Sequence, residues 1–487
     1  MKRRTLQRAG LGVLSVVALL WLPPCPHAEP PVRTDESFAW NANPQFERLA
    51  ARFDANEACP PDVQTRSTKL EAKAATLGRT AAPPTDPRWD ALLQGLFELT
   101  ADMGRCTDAG PRFLKVRNAL WRNAKTASVS WPVDDAGRQT LYRVLYGSRA
   151  AAETLLLQLP PAEAPTLNRV DAIPSQTPSL EFEGVRIHSG DLLVSRGGAP
   201  TSAFIARGND YPGNFSHVAV VHVDESGEAK LIEAHIEKGI AIATPEAYFK
   251  DKKLRVLVLR MRPDHPVLLA DPMMPHRAAQ AALADARARH VPYDFQMDFA
   301  DPKEQFCSEV ASTHYAELGV TLWKTLSSFS SKGLASWMAA FGVTHFETHS
   351  PSDLEYDPAL AVVAEWHSHD TLLDDHIDNA VIDQMLEEAQ DGAPLDYSYA
   401  KLPLARLAKA YSVVLNAMGK VGPVPEGMSP VVALRATWLA EEHAARKAKL
   451  EAEVEAFERE RGRLPAYWEL VSLGDRADRP EQADSGP

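Results

Sequence analysis

Apolar positions along the chain fall into three textures. From about residue 36 to 160 they recur at helical spacing: Phe46, Leu49 and Phe53 in one segment, and Trp89, Leu92, Leu93, Leu96 and Leu99 in another. Asp86-Pro87 supplies a cap followed by proline at the first helical position. A further helix is predicted near Arg138 to Leu159, ending at Pro160-Pro161. The stretch 161–179 is punctuated by Pro165, Pro174 and Pro178 and reads as a linker. Near Leu180 the texture changes to short β-type runs, predicted over Asp191–Ser195, His217–Val223, Lys230–His235 and Leu254–Arg260. Asp224-Glu225-Ser226-Gly227 provides a turn between the second and third. A helix over Pro275–His290 follows, then a loop through Pro292-Tyr293-Asp294. A second helix opens around Cys307 and closes at Gly319.

Beyond residue 365 the helical period returns. Leu450, Val454 and Phe457 mark one face of a charged helix over 433–461. Strands followed by helices define an α+β unit over 180–364, with an N-terminal helical region over 29–160 and a C-terminal one over 365–474. The polar tail 475–487 is predicted to be disordered. A length of 487 residues exceeds one ordinary core, in keeping with several units. The net charge of −13 argues against non-specific nucleic-acid or anionic-membrane binding.

The N-terminus changes the picture of where the chain acts. Lys2-Arg3-Arg4, an apolar run from Ala9 to Leu22, and a proline-rich segment ending in His27-Ala28 have the layout of a signal peptide over 1–28. The run is short for a membrane span. The expectation is export, to the periplasm. Lipidation at Cys25 is the minor alternative, because Pro23-Pro24 suits such a site poorly. Loss of the leader leaves Cys59, Cys106 and Cys307. In an oxidising compartment three thiols suggest one disulfide and one free thiol. Cys59 and Cys106 flank helices of one region and are the expected pair, leaving Cys307.

Cys307 lies in Gln305-Phe306-Cys307-Ser308-Glu309, where a loop gives way to a helix; His217 opens a predicted strand and Glu233 lies in the next. A helix start and a neighbouring imidazolium both lower a thiol pKa, so this trio suits nucleophilic acyl transfer. Antiparallel partners share a face, so an odd-length loop between the strands keeps His217, Glu233 and His235 together, and a four-residue loop would separate them. His235 competes with Glu233 for the orienting role.

The segments His188-Ser189-Gly190-Asp191-Leu192-Leu193, Ser216-His217-Val218-Ala219, Ile232-Glu233-Ala234, Pro292-Tyr293-Asp294 and Phe306-Cys307-Ser308-Glu309 resemble the permuted papain-like amidases of the YaeF/YiiX type. These are circularly permuted relatives of the NlpC/P60 cysteine peptidases, and the match spans roughly residues 180–360. The resemblance implies a permuted papain-like fold with an antiparallel sheet. It also implies Cys307 as nucleophile, His217 as base and acid, and Glu233 as third member. Tyr293 becomes a substrate or oxyanion candidate, and Pro351-Ser352-Asp353-Leu354 resembles the family's closing segment. The implied substrate is an amide- or acyl-containing molecule, with peptidoglycan peptides one candidate. A lipid acyltransferase or thioesterase with the same triad, and a non-catalytic binding module, are the rivals. No cofactor is expected. His367, His369, Asp370, Asp374, His376 and Asp378 crowd together but match no familiar metal-ligand spacing, so no metal is expected either.

Overall fold

A computed structural model describes residues 21–22, 43–55 and 58–478. The predicted leader, apart from Trp21 and Leu22, lies outside the described residues, as do Cys25 and positions 479–487 of the tail.

Five helices open the described chain: α1 (Asn43–Ala55), α2 (Val63–Arg79), α3 (Arg88–Met103), α4 (Ala109–Ser128) and α5 (Asp135–Leu156). Their apolar stripes meet in one core around Trp89, Leu96, Phe113, Trp121 and Leu145. Two of them, α2 and α4, escaped the sequence reading. Asp134 caps α5 by accepting from the Gly137 N–H. The Cys59–Cys106 disulfide is present and joins the segment before α2 to the end of α3.

The strands are β1 (Leu167–Arg169), β2 (Ser179–Phe182), β3 (Val185–His188) and β4 (Leu192–Gly197), then, after α6 (Pro200–Arg207), β5 (His217–Val223), β6 (Ala229–His235) and β7 (Gly239–Ala243). Helix α7 (Pro245–Lys250) leads to β8 (Lys253–Met261), followed by α8 (Pro266–Ala270), α9 (Met274–Ala288) and α10 (Glu309–Ala316). Then come β9 (Ser327–Ser328), α11 (Lys332–Ala340), β10 (Glu347–Thr348), a 3₁₀ turn over Pro351–Tyr356 and β11 (Leu360–His367). Helices α12 (His369–Gln390), α13 (Leu402–Ala417), α14 (Pro430–Arg461) and α15 (Tyr467–Asp478) complete the molecule.

The main sheet is antiparallel with order β1-β11-β8-β4-β5-β6-β7. The expected linker thus contributes an edge strand: Leu167 pairs with Trp366 and Arg169 with Ala364. The alternation along β5 explains the layering. Val218 and Val220 face the large core beneath α9 and α10, whereas Ala219, Val221 and Val223 face a smaller core closed by the β2–β3 hairpin and Tyr248. The arrangement is the expected α+β fold, antiparallel sheet with helical flanks.

A buried ion-pair network joins the flanks to the sheet. Arg255 on β8 donates to Glu153 on α5 (Nη2–Oε2 3.1 Å) and to Asp375 on α12 (2.7 Å). Arg149 on α5 reaches Glu355 (2.6 Å) and Glu365 of β11 (3.3 Å). His376 meets Glu153 at 2.8 Å, and Lys447 meets Asp378 at 2.9 Å. His376, Asp374 and Asp378 of the cluster near residue 370 are therefore spent on ion pairs between elements. Among the described residues no group of three or more His, Cys, Asp and Glu side chains could hold a metal ion.

Candidate active site

Strand β5 begins at His217, and the loop to β6 runs from Asp224 to Glu228. It is five residues long, and Ala219 pairs with Glu233, so extending the ladder sets His217 opposite His235. Glu233 is then diagonal to His217 and on its face. The His217 Nε2 lies 2.6 Å from Glu233 Oε2, and the His235 Nε2 lies 3.0 Å from Oε1. His235 is thus not a substitute for Glu233 but the second imidazole on its carboxylate.

Burial alone would raise the Glu233 carboxyl, but hydrogen bonds from the two histidines outweigh it and hold the group well below the ordinary carboxylate range. Burial pushes the His217 imidazole below its usual value, and Glu233 offsets part of that fall. A residue with no signal in the sequence to single it out stands behind it. The Tyr248 ring on α7 stacks on His217 at 6.5 Å between centroids, and its hydroxyl donates to Ser195 Oγ (2.8 Å). Only the folding of α7 across the sheet brings it there.

Cys307 is buried and free, in the turn just ahead of α10. Its Sγ lies 3.9 Å from the carbonyl oxygen of Ser216, the residue before His217. Cys307 arrives with the helices on one face of the sheet and His217 projects in phase with the other. They meet where β5 starts, as walls of a single cleft that also includes Gly197, Ser202, His235, Lys253 and Tyr293. Burial pushes the thiol up to about 11, against the pull of the backbone N–H groups of Val218, Ser308 and Cys307 itself. The expectation of a thiol activated at rest by its helix start is corrected: desolvation wins. Glu309, one turn away, accepts the Phe306 N–H at 2.8 Å; burial pushes it up to about 9, so at neutral pH it sets no negative charge beside the sulfur.

The cleft continues inward as an apolar chamber. Its walls are Phe204, Phe295, Phe306, Met338, Phe341 and Val432, with Cys307 and Tyr293 at the junction. The space left free between these walls is about 110 Å³. His349 also borders it, stacked between Phe299 and Trp323 at 4.4 and 5.1 Å. Burial lowers that imidazole to about 4, so it enters the wall uncharged. The walls come from α6, the 293–306 loop, α11 and α14, four stretches no sequence window could have joined.

Pro351 lines the chamber, and the residues after it tie the site to its surroundings. Ser352 Oγ accepts from the Phe215 N–H and donates to the Phe215 carbonyl, both at 3.0 Å, fixing the approach to His217. Asp353 pairs with Arg138 of α5 at 2.9 Å.

A thiol ahead of a helix, a histidine opening a strand and a carboxylate on the adjacent strand thus stand together on an α+β scaffold. Residues 186–364 match the model of one family in particular, the permuted papain-like amidase enzymes (YaeF/YiiX, C92 family). No curated protein and no solved structure shows a significant match to the chain. The matched family supports a cysteine amidase or peptidase activity on an amide-containing substrate.

Proposed function

We propose that the protein is an exported cysteine amidase whose substrates carry an apolar acyl group. The observation that carries this reading is the joining of Cys307 and the His217–Glu233 pair in one cleft that opens into an apolar chamber. With Nε2 engaged by Glu233, Nδ1 is the His217 nitrogen left to exchange a proton with the thiol. Because burial keeps the thiol protonated, the imidazole acts as a general base at the moment of attack. Sulfur bonds to the acyl carbon as His217 takes the thiol proton, and the carbonyl electrons move to oxygen. The N–H groups that face the sulfur, those of Val218, Ser308 and Cys307, favour the negative charge as it develops. Collapse expels the amine, protonated by His217, and leaves a thioester. Water then attacks with His217 again as base, releasing the carboxylic acid and the thiol. Tyr293, at the junction of cleft and chamber, positions the acyl group.

Cell-wall peptides were the substrate suggested by the compartment. The phenylalanine, methionine and valine walls favour an acyl chain over a polar peptide on that side of the bond. A thioesterase or acyltransferase would use the same triad; preference for an S-acyl over an N-acyl substrate would identify the first, and transfer to added glycerol in preference to water the second. The test is hydrolysis of an N-dodecanoyl amide beside an N-acetyl amide and purified muropeptides. Trapped intermediate should appear as dodecanoyl mass on the Cys307 peptide. Retention of activity by Cys307→Ala, or cleavage of muropeptides in preference to the long-chain amide, would overturn the reading.

A further inference from the structure

The outward face of α13 is apolar throughout. Leu404, Leu407, Tyr411, Val414 and Met418 are spaced three and four apart and are 54–70% exposed. The side that packs inward is smaller, with Leu402, Ala405 and Ser412 buried. A surface helix of a soluble domain shows the reverse arrangement. Val421 and Tyr399 extend the patch beyond both ends of the helix.

The stretch of chain that carries this stripe has charge of one sign. Between positions 397 and 425 the sequence holds Lys401, Arg406, Lys409 and Lys420 and no carboxylate, in a chain whose net charge is −13. Lys401 reaches Glu441 of α14 (3.4 Å), and Lys409 donates to the Pro425 carbonyl (2.7 Å), so these cations border the patch from its flanks. Until the predicted leader is removed, the end of its apolar run also touches this region. The Trp21 ring lies 5.8 Å from Tyr399, and the Leu22 carbonyl accepts from Arg406 at 2.6 Å. The chain after α13 leads straight to the chamber: Gly427 abuts Phe295 and the Tyr293 carbonyl, and Met428 and Val432 line the apolar wall.

We propose that α13 is an interfacial helix that seats its apolar stripe in an anionic bilayer. Apolar residues on one side with cations at the borders are what that surface selects. A second copy of the chain is the competing occupant, and the three–four spacing would suit a helical seam. Pairing two copies would bring the same cations together with no carboxylate between 397 and 425 to answer them. The acidity of the whole chain speaks to its surface on average, and this patch departs from it. The membrane seat stands on its own. Its further consequence, that acyl substrates reach the chamber from the bilayer along residues 419–429, rests on the function proposed above.

The test uses the full chain as produced, with a nitrobenzoxadiazole probe on Tyr411→Cys or, as control, on exposed Lys73→Cys of α2. In a Cys25→Ser background Cys307 is buried and Cys59 and Cys106 are paired, so only the introduced thiol reacts. With phosphatidylethanolamine–phosphatidylglycerol vesicles carrying brominated chains, the probe at 411 should be quenched and the probe at 73 should not. Binding should weaken at least tenfold on phosphatidylcholine vesicles, and Leu407→Glu with Val414→Glu should abolish insertion. Absence of quenching at 411 overturns the proposal. So does a concentration-dependent blue shift at 411 without lipid together with a dimer by sedimentation, which assigns the face to a second copy. Activity then separates the two claims. The double glutamate variant should lose at least tenfold against a bilayer-borne acyl amide and nothing against a soluble short-chain amide. Insertion without that loss leaves the membrane seat intact and removes the delivery role.

Discussion

Replacing Glu233 with glutamine tests the catalytic reading at the point where structure and chemistry are most closely tied. The amide has nearly the same shape, but it offers one acceptor where the carboxylate serves two imidazoles, at 2.6 and 3.0 Å. The larger loss is electrostatic. As His217 takes the thiol proton it becomes an imidazolium next to a buried anion. Charge centres about 4 Å apart interact by about 4 kcal/mol at an effective dielectric constant near 20. A neutral amide keeps roughly 1 kcal/mol of that as an ordinary hydrogen bond. The difference of about 3 kcal/mol corresponds to a fall in kcat/KM of about 10²-fold. The pH profile should move as well. Glu233 raises the His217 pKa against burial, so its removal lowers that pKa further. A general base must be unprotonated, so the acid limb of kcat/KM should shift to lower pH in Glu233→Gln. Initial rates on a chromogenic N-acyl amide between pH 4 and 9 give both readouts, with His235→Asn as a control expected to stay within tenfold of wild type. A Glu233→Gln enzyme within fivefold of wild type, with an unmoved acid limb, would refute the argument.

Other consequences can be checked directly. With the Cys307 thiol at about 11, the thiolate is roughly one part in ten thousand at pH 7. Iodoacetamide labelling of Cys307 should therefore climb about tenfold per pH unit from pH 7 to 10; a plateau below pH 8 would show a preformed thiolate–imidazolium pair instead. Arg255→Met takes one buried cation from Glu153, which keeps His376, and from Asp375, which keeps Arg196, and should cost about 3 kcal/mol in urea unfolding. Against burial, Arg255 helps hold the Glu153 carboxyl well below its ordinary range, so the deficit should shrink as pH falls and that group protonates, and a deficit that grows on acidification would contradict this account. Reducing the Cys59–Cys106 bridge reopens a loop with a sequence separation of 47, worth about 4 kcal/mol by chain entropy. The melting temperature should drop by several degrees while activity at 25 °C is retained, and an unchanged melting curve would count against an entropic role.

The sequence by itself determined the local chemistry and much of the local structure. The valine run after His217 was readable as a strand over its observed span, because four branched residues in seven favour the pleated surface. The disulfide followed from counting three thiols in a chain expected to be exported, and an odd loop followed from requiring His217 and Glu233 on one face. Tertiary structure decided what depends on burial and on partners distant in the chain. β1 and β11 are too ordinary in pattern to announce a sheet, and they pair with each other across nearly two hundred residues. The stripe on α13 has the spacing of any core-facing helix; only its exposure in the folded chain turns that signal outward. The chamber exists because α6, α11 and α14 converge on one loop. The thiol pKa goes up rather than down for a related reason. A helix start is a local feature visible in sequence, whereas desolvation is set by everything that folds around the sulfur, and at Cys307 it is the larger effect.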